Sequence, residues 1–404
     1  KMEKTKADIL KKQDEKYIVG TYKRSDLCLA EGSKATVKDL EGKEYIDFSS
    51  GIGVNSFGFS DDGWVRAITE QACKLQHTSN LYYTEPAVKV ARLLVEKSKM
   101  SKVFFANSGA EANECAIKTA RKYGNEKYVI EKRDNEKYGR HRNEIITLKN
   151  SFHGRTMATI SATGQEEYHH FFYPFSEGFF YVEPNQTEEL EQFVSENTCA
   201  IMIELIQGEG GVNSLNQEYV DAISRICKDK DILLIVDEVQ TGIGRTGTAF
   251  AFEQFNIQPD LVTVAKGLGG GLPIGAVIFN KKTENVLTFG DHGTTFGGNL
   301  IVCAGAAYIL ESLDEKMLAE INKKSEYIRK ELFEIDEVET VSGLGLMIGI
   351  KHKTKTAKEI ADTCLQEGLI VLTAKEKVRL LPPLNISWEQ LEKGLIILKK
   401  VLKG

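Results

Sequence analysis

Two consecutive stretches, Ile232–Gly247 (ILLIVDEVQTGIGRTG) and Leu261–Asn280 (LVTVAKGLGGGLPIGAVIFN), decide the fold. Each opens on an unbroken apolar run and breaks into a polar or glycine-rich turn. Unbroken rather than alternating apolar runs belong to strands covered on both faces, as in a parallel sheet between helices. The same form recurs in KVFFANSGAE (Lys102–Glu111), EIITLKNSFHG (Glu144–Gly154) and AIMIELIQGEGG (Ala200–Gly211), with helical stretches between several of them. Residues from about 102 to 280 therefore read as an α/β unit with a mostly parallel sheet. Ligands of such sheets gather at the carboxyl ends of the strands. Ser108, His153, Gln207, Asp237 and Lys266 each fall just after an apolar run.

Outward from this centre, AEANECAIKTARKYG (Ala110–Gly124) sets Ala112, Cys115, Ala116, Thr119 and Ala120 at helical spacing, a face of small residues for close packing on a sheet. Beyond about Leu300 the pattern changes to two helices, a strand pair near Gly349 and Val371, and a closing helix whose start is marked by the capping spacing of Ser387 and Gln390. YKRSDLCLAEGSKATVKDLEGKEYIDF, near the amino end, reads as strands around a turn at Glu41-Gly42 that join the carboxyl-terminal part. The expected division is a large domain of residues 56–300 and a smaller α+β domain built from residues 1–55 and 301–404. The mixed-charge stretch from Glu131 to Asn143 reads as a solvated surface loop.

The chain has 404 residues, 42% hydrophobic and 27% charged, which excludes disorder and disulfide-scaffold classes. Its net charge of −6 provides no field for a polyanion, so nucleic acid is not an expected partner. The seven cysteines are scattered without a C-x-x-C pair, and we expect free, buried thiols in a reducing compartment and no metal site. There is no apolar run long enough to span a bilayer and no signal-peptide core, so no membrane role and a cytoplasmic location are expected.

The candidate chemistry starts at Lys266. A lysine desolvated at a strand end becomes a neutral amine able to form a Schiff base with an aldehyde, whereas a lysine of this kind taken alone is more often a surface residue. Asp237 closes ILLIV, and a carboxylate there requires a cationic partner such as a protonated pyridine nitrogen. The competing reading, a nucleotide-site metal aspartate, lacks any G-x-x-x-x-G-K-[ST] segment. The glycine-rich stretches also miss the dinucleotide register G-x-G-x-x-G. Ser108-Gly109-Ala110 lies at a strand-to-helix turn suited to a phosphate, to which Thr294 and Thr295 of DHGTTFGGN can add contacts. Phe152 can lie on a heterocycle, and His153 reads best as a structural hydrogen-bonding residue.

Together NSGAEANECAIKTAR, SFHGRT, QGEGG, LLIVDEVQTGIGRTG, TVAKGLGGGLPIGA and HGTTFGGN resemble the class III pyridoxal-phosphate aminotransferases, and SNLYYTEP, NSFHGRT and TTFGGN are most similar to their acetylornithine branch. The resemblance runs in order from about Tyr45 to Pro383. It implies the fold-type I transferase architecture, a mainly parallel seven-stranded sheet plus a small domain from both chain ends. It also implies that Lys266 bonds covalently to pyridoxal 5'-phosphate and later shuttles the substrate proton, that Asp237 pairs with the ring nitrogen and that Gln240 meets the ring hydroxyl. Phe152 would then stack on the ring, Ser108, Gly109 and Ala110 would hold the phosphate, and Thr295 would reach it from a second subunit of a homodimer. Among substrate groups, Arg155 would take the distal carboxylate, Thr294 would line the site, and Arg379 would grip the carboxylate beside the keto carbon, with Glu209 pairing Arg379 when no such carboxylate is bound.

The activity so implied moves the δ-amino group of N2-acetyl-L-ornithine to 2-oxoglutarate, a step of arginine biosynthesis, with small amino and keto acids as partners. Ornithine, 4-aminobutyrate, succinylornithine or succinyl-diaminopimelate aminotransferases would use the same site, and a non-catalytic scaffold on this fold would be expected to lack Lys266 or Asp237. The sequence departs from the family at Phe57–Trp64 (FGFSDDGW), where relatives carry two histidines, and at Leu205, where they commonly have proline.

Overall fold

The computed structural model describes residues 5–132 and 142–404. Seven strands form the central sheet: β1 (Lys102–Ala106), β2 (Glu144–Leu148), β3 (Phe179–Val182), β4 (Thr198–Ile203), β5 (Leu233–Asp237), β6 (Leu261–Val264) and β7 (Gly275–Phe279). Their spatial order is β1-β7-β6-β5-β4-β2-β3. All neighbouring pairs are parallel except those of β7, which runs antiparallel to β6 and β1. Every residue of β4, β5, β6 and β7 is buried, whereas the edge strands β1 and β3 are only partly covered.

The period-two geometry of a strand explains why the apolar runs are unbroken. Ile145, Leu233 and Ile235 pack into one core with Ala112, Cys115, Ala116 and Ala120 of helix α1 (Gly109–Lys132). Their chain neighbours Ile146, Leu234 and Val236 point into the second core on the opposite face. The small face of α1 is fully buried, as its spacing requires.

Strand β3, formed by the aromatic run FFYV, was not anticipated from the sequence, because its partly exposed edge position leaves no continuous aliphatic signal. The sequence stretch 131–143 lies outside the described residues except at its ends, of which Glu131 and Lys132 still belong to α1. Two of the seven cysteines depart from the expectation of burial: Cys73 is exposed and Cys28 partly so, while the other five are buried and all are free.

Residues 29–47 form three antiparallel strands (Leu29–Ser33, Thr36–Asp39, Glu44–Asp47), and Leu369–Ile370 joins them in parallel beside Glu44–Asp47. The carboxyl-terminal part carries its own antiparallel sheet of Val338–Leu344, Met347–His352, Lys377–Leu380 and Leu372–Ala374. Gly349 pairs with Arg379 and Ser342, and Val371 lies between two short strands, which corrects the expected pairing near Gly349 and Val371. Ser387 caps the last helix, Trp388–Lys403, by accepting a hydrogen bond from Gln390 N. That helix packs so closely on Phe48 that a Cβ on Gly394 would lie 2.2 Å from its ring, which couples the two ends of the chain.

Candidate active site

A cleft of about 660 Å³ opens at the carboxyl ends of β4, β5 and β6. Lys266, Asp237, Gln240, Phe152, Arg155 and Glu209 all line it, as does the turn Ser108-Gly109-Ala110. A larger-scale feature sets this convergence: parallel strands end at one edge, so side chains far apart in sequence meet there.

Lys266 follows Ala265 at the end of β6 and holds a left-handed backbone with φ of 35°. Such a conformation costs a non-glycine residue about 1–3 kcal/mol and is kept only where the surroundings impose it. Here Ser56 donates its hydroxyl to Gly267 O, and Trp64 Nε1 donates to Gly269 O at 3.1 Å. Ser56 and Trp64, which flank residues 57–63, thus brace the lysine turn. Among the described residues Lys266 Nζ has no hydrogen-bond or ion-pair partner. The side chain opens onto the cleft, yet protein surrounds it, and desolvation lowers its pKa against the opposing pull of Glu209, Asp237 and Glu204. A lowered pKa favours the neutral, nucleophilic amine.

Asp237 is fixed by three donors. Its Oδ1 accepts from Val239 N at 3.0 Å, and its Oδ2 accepts from Asn113 Nδ2 and His153 Nδ1, each at 2.8 Å. His153 is buried, and although burial works against its charge, the hydrogen bond to Asp237 and the negative charges of Asp237 and Glu204 raise its pKa. The histidine makes the structural hydrogen bond expected of it, and its partner is the Asp237 carboxylate. Glu204, one residue beyond β4, accepts from Phe152 N at 2.9 Å and Gly208 N at 3.3 Å. Burial, only partly offset by His153, pushes its pKa up to about 7. Neither Glu204 nor Asn113 was singled out from the sequence. Glu204 carries the same signal as Asp237, a carboxylate closing a buried run, whereas Asn113 is marked only by its place on α1 under the sheet edge.

At the amino end of α1, Ser108 acts as helix cap, its Oγ accepting from Glu111 N at 3.1 Å. The N–H groups of Gly109 and Ala110 have no intrahelical acceptor, as in the first turn of any helix, and both residues line the cleft. A Cβ on Gly109 would lie 2.8 Å from Val239 Cγ1, and one on Gly275 would lie 2.2 Å from Ser108 O, so both glycines let β7 and the loop after β5 close around this turn.

Arg379 donates to Glu209 Oε1 at 2.8 Å and to Gln240 Oε1 at 3.2 Å, while its buried Nε is without a partner. Burial alone would raise the pKa of Glu209, but Arg379, Lys266 and Arg155 together hold it below the usual range. The observed Gln240 contact is with Arg379. Thr294 Oγ1 accepts from Asn107 Nδ2 at 3.0 Å and Thr295 is exposed; neither lines the cleft of the single chain.

The donor set fits pyridoxal phosphate: an amine for the aldehyde, a fixed carboxylate for the ring nitrogen, an aromatic flank, and a helix amino terminus for the phosphate. Residues 19–402 match the sequence model of the class III aminotransferases. The chain belongs to that family. Among its relatives, this class III aminotransferase is 49% identical to the acetylornithine aminotransferase of Haemophilus ducreyi over 98% of the chain and 99% of the relative. It is 45% identical to that of Caldanaerobacter subterraneus over 96% and 98%. A solved ornithine aminotransferase of Toxoplasma gondii, whose active site holds PLP at partial occupancy, superposes with a TM-score of 0.90 at 29% identity, covering 99% of this chain and 95% of that one. N-acetylornithine aminotransferase of Stenotrophomonas maltophilia gives 0.81 at 34% identity, with 96% and 97% covered. As a class III aminotransferase the chain is a PLP-dependent transaminase, in agreement with the fold and cofactor that the sequence motifs imply.

Proposed function

We propose that this enzyme moves the δ-amino group of N2-acetyl-L-ornithine to 2-oxoglutarate, giving N-acetyl-L-glutamate 5-semialdehyde and L-glutamate, and so serves arginine biosynthesis in the cytoplasm. The observation that carries the reading is the pairing of the site's arginines, where Glu209 lines the cleft beside Arg155 and is ion-paired with the buried Arg379 at 2.8 Å. Such a site favours substrates that bring carboxylates of their own.

Bound in the cleft, pyridoxal phosphate supplies an electron-accepting ring that stabilises negative charge on the substrate carbon. Lys266 Nζ would hold it covalently, Asp237 would keep a proton on its ring nitrogen, and Gly109, Ala110 and Ser108 would carry its phosphate. Phe152 and Gln240 line the same cleft, where Phe152 would flank the ring and Gln240 would meet its hydroxyl. As a neutral amine, Lys266 Nζ would serve as the base that takes the proton from the reacting carbon of the substrate and as the acid that gives it back. Its lowered pKa suits it to both tasks.

Arg155 binds the distal carboxylate, which lies four bonds from the reacting carbon in N-acetylornithine and three in 2-oxoglutarate. Glu209 occupies Arg379 while the donor is bound, because the donor has no charge beside its reacting carbon. The keto acid brings a carboxylate to that place, and Glu209 yields Arg379 to it. An arginine serves better than a lysine at both positions because it pairs with carboxylate through two parallel N–H bonds.

We further propose a homodimer, with the partner copy bringing Thr295 to the phosphate. Leu81, Tyr82, Tyr83, Phe289 and Phe296 stand exposed around this segment, and Asn80 Nδ2 donates to Thr294 O and Gly297 O, which joins the two apolar strips. A concentrated exposed apolar surface of this kind is a subunit interface in the making. Residues 1–55 and 301–404 are assigned to the small domain on the pairing of their strands described above.

Comparison of kcat/KM for acetylornithine, ornithine, 4-aminobutyrate, succinylornithine and succinyl-diaminopimelate tests the donor. Acetylornithine among the best supports the assignment, and a clear preference for unacylated ornithine or 4-aminobutyrate overturns it.

A further inference from the structure

Arg155 lies in a corner made by two aromatic rings. Its Cζ is 5.4 Å from the centroid of Phe152 and 5.3 Å from that of Tyr168. The two rings meet edge to face, with centroids 5.4 Å apart and planes inclined at 64°. Arg155 is exposed and has no carboxylate partner at ion-pair distance among the described residues, so these rings are what the structure offers to hold it.

Tyr168 is half-buried at the end of a short helical turn, Glu166–Tyr168, and does not itself line the cleft. Its place is nonetheless tightly set. Asn150 N donates to Gly164 O at 2.8 Å, Gly164 N to Ser151 Oγ at 3.0 Å, and Gln165 Nε2 to Ser151 O at 3.0 Å. His153 N donates to Thr163 Oγ1 at 3.0 Å, and Tyr168 N to Gln165 O at 3.1 Å. The segment that carries Tyr168 is thus strapped across the segment that carries Phe152 and leads into Arg155. The phenol oxygen has no hydrogen bond among the described residues, so the ring is the part of Tyr168 that meets the arginine.

We propose that Tyr168 is a positioning residue for substrate recognition: with Phe152 it seats the Arg155 guanidinium and turns its N–H edge toward the distal carboxylate of both substrates. This rests on the reading of Arg155 given above. The rings attract the cation through their faces, while hydrogen bonding to a carboxylate uses the guanidinium edge, so the two interactions do not compete. An exposed arginine otherwise samples many rotamers, and the corner removes much of that freedom before the ligand arrives. Since Phe152 also flanks the cofactor position, the corner fixes the distance between reacting carbon and gripped carboxylate.

The test uses the holoenzyme and the variants Y168L, Y168F and R155Q. In Y168L, KM for N-acetylornithine and for 2-oxoglutarate rises about two- to fivefold with kcat nearly unchanged, the scale expected for losing one exposed ring–cation contact. The single-turnover rate with n-butylamine, which has no carboxylate, stays as in the wild type. Y168F keeps the ring and restores the wild-type KM values. Y168L adds no further loss on top of R155Q. Y168Q, also ringless, repeats the measurement should the leucine variant fold poorly. Unchanged KM values in both ringless variants beside raised ones in R155Q would overturn the role of Tyr168 alone. A Y168F as poor as Y168L, or an equal loss with butylamine, would overturn it as well. Unchanged KM values in R155Q would remove the reading of Arg155 and the proposal with it.

Discussion

Lys266 shows what a single residue gains from its place. A surface lysine is protonated at neutral pH, but at the end of β6 desolvation lowers its pKa, and the φ of 35° aims it from a braced turn into the cleft. K266A should lose turnover by about three orders of magnitude or more, measured as the rate of glutamate formation, while still binding cofactor non-covalently. Near-normal turnover would show that another group moves the proton. At Asp237, D237A should weaken cofactor retention on gel filtration and slow turnover strongly; unchanged retention and rate would deny the ring-nitrogen pairing. These two residues were legible in the sequence because each closes a buried apolar run, and Glu204 answers to the same rule. Asn113 and Tyr168 were not legible, since their roles arise from contacts with Asp237 and Arg155 that only the folded chain brings together. Gln240 shows a further limit, because its observed bond to Arg379 depends on a residue from another sheet.

Among the elements, β5 and the turn after it are held by a buried carboxyl. Glu238 accepts from Ala251 N and Phe252 N, each at 2.8 Å, and from Thr241 Oγ1 at 3.2 Å. Burial nevertheless pushes its pKa from 4.5 up to about 7. A carboxyl raised in the folded state binds its proton more tightly there than in the unfolded chain. Its stabilising contribution is therefore complete below about pH 4.5 and is lost as pH rises through about 7. Thermal unfolding of the wild type and E238Q between pH 5 and 8 should show the wild type losing ground to the variant as pH rises, by on the order of 1–3 kcal/mol. A difference independent of pH would mean that Glu238 is ionised throughout. The strands themselves were legible wherever both faces are covered, as for β4 to β7. The edge strand β3 was not, nor was the order of the short strands around Arg379, because strands of two to four residues carry too little pattern to fix their partners.

For the whole molecule, the fold brings the carboxyl ends of β4, β5 and β6 and the amino end of α1 to a single cleft, and the class III motifs announced that architecture in advance. The proposed second copy was reached in the sequence only through the family resemblance at Thr295, because exposed apolar residues such as Tyr83 and Phe289 carry no pattern of their own that separates an interface from core. Mixing inactive K266A with T295D under conditions that exchange subunits should restore about a quarter of the wild-type activity, because half of the dimers are mixed and each mixed dimer has one intact site. No recovery despite exchange would place the phosphate site within one chain. No described helix is long and apolar enough to cross a membrane. The most direct measurement is the visible absorbance of purified protein reconstituted with pyridoxal phosphate, taken before and after N-acetylornithine is added without keto acid. A visible band that is absent in K266A, bleaches with the amine and returns with 2-oxoglutarate is the expected result. Failure to form that band in the wild type with excess cofactor would contradict the assignment of Lys266, and a band that N-acetylornithine leaves unchanged would contradict the assigned donor.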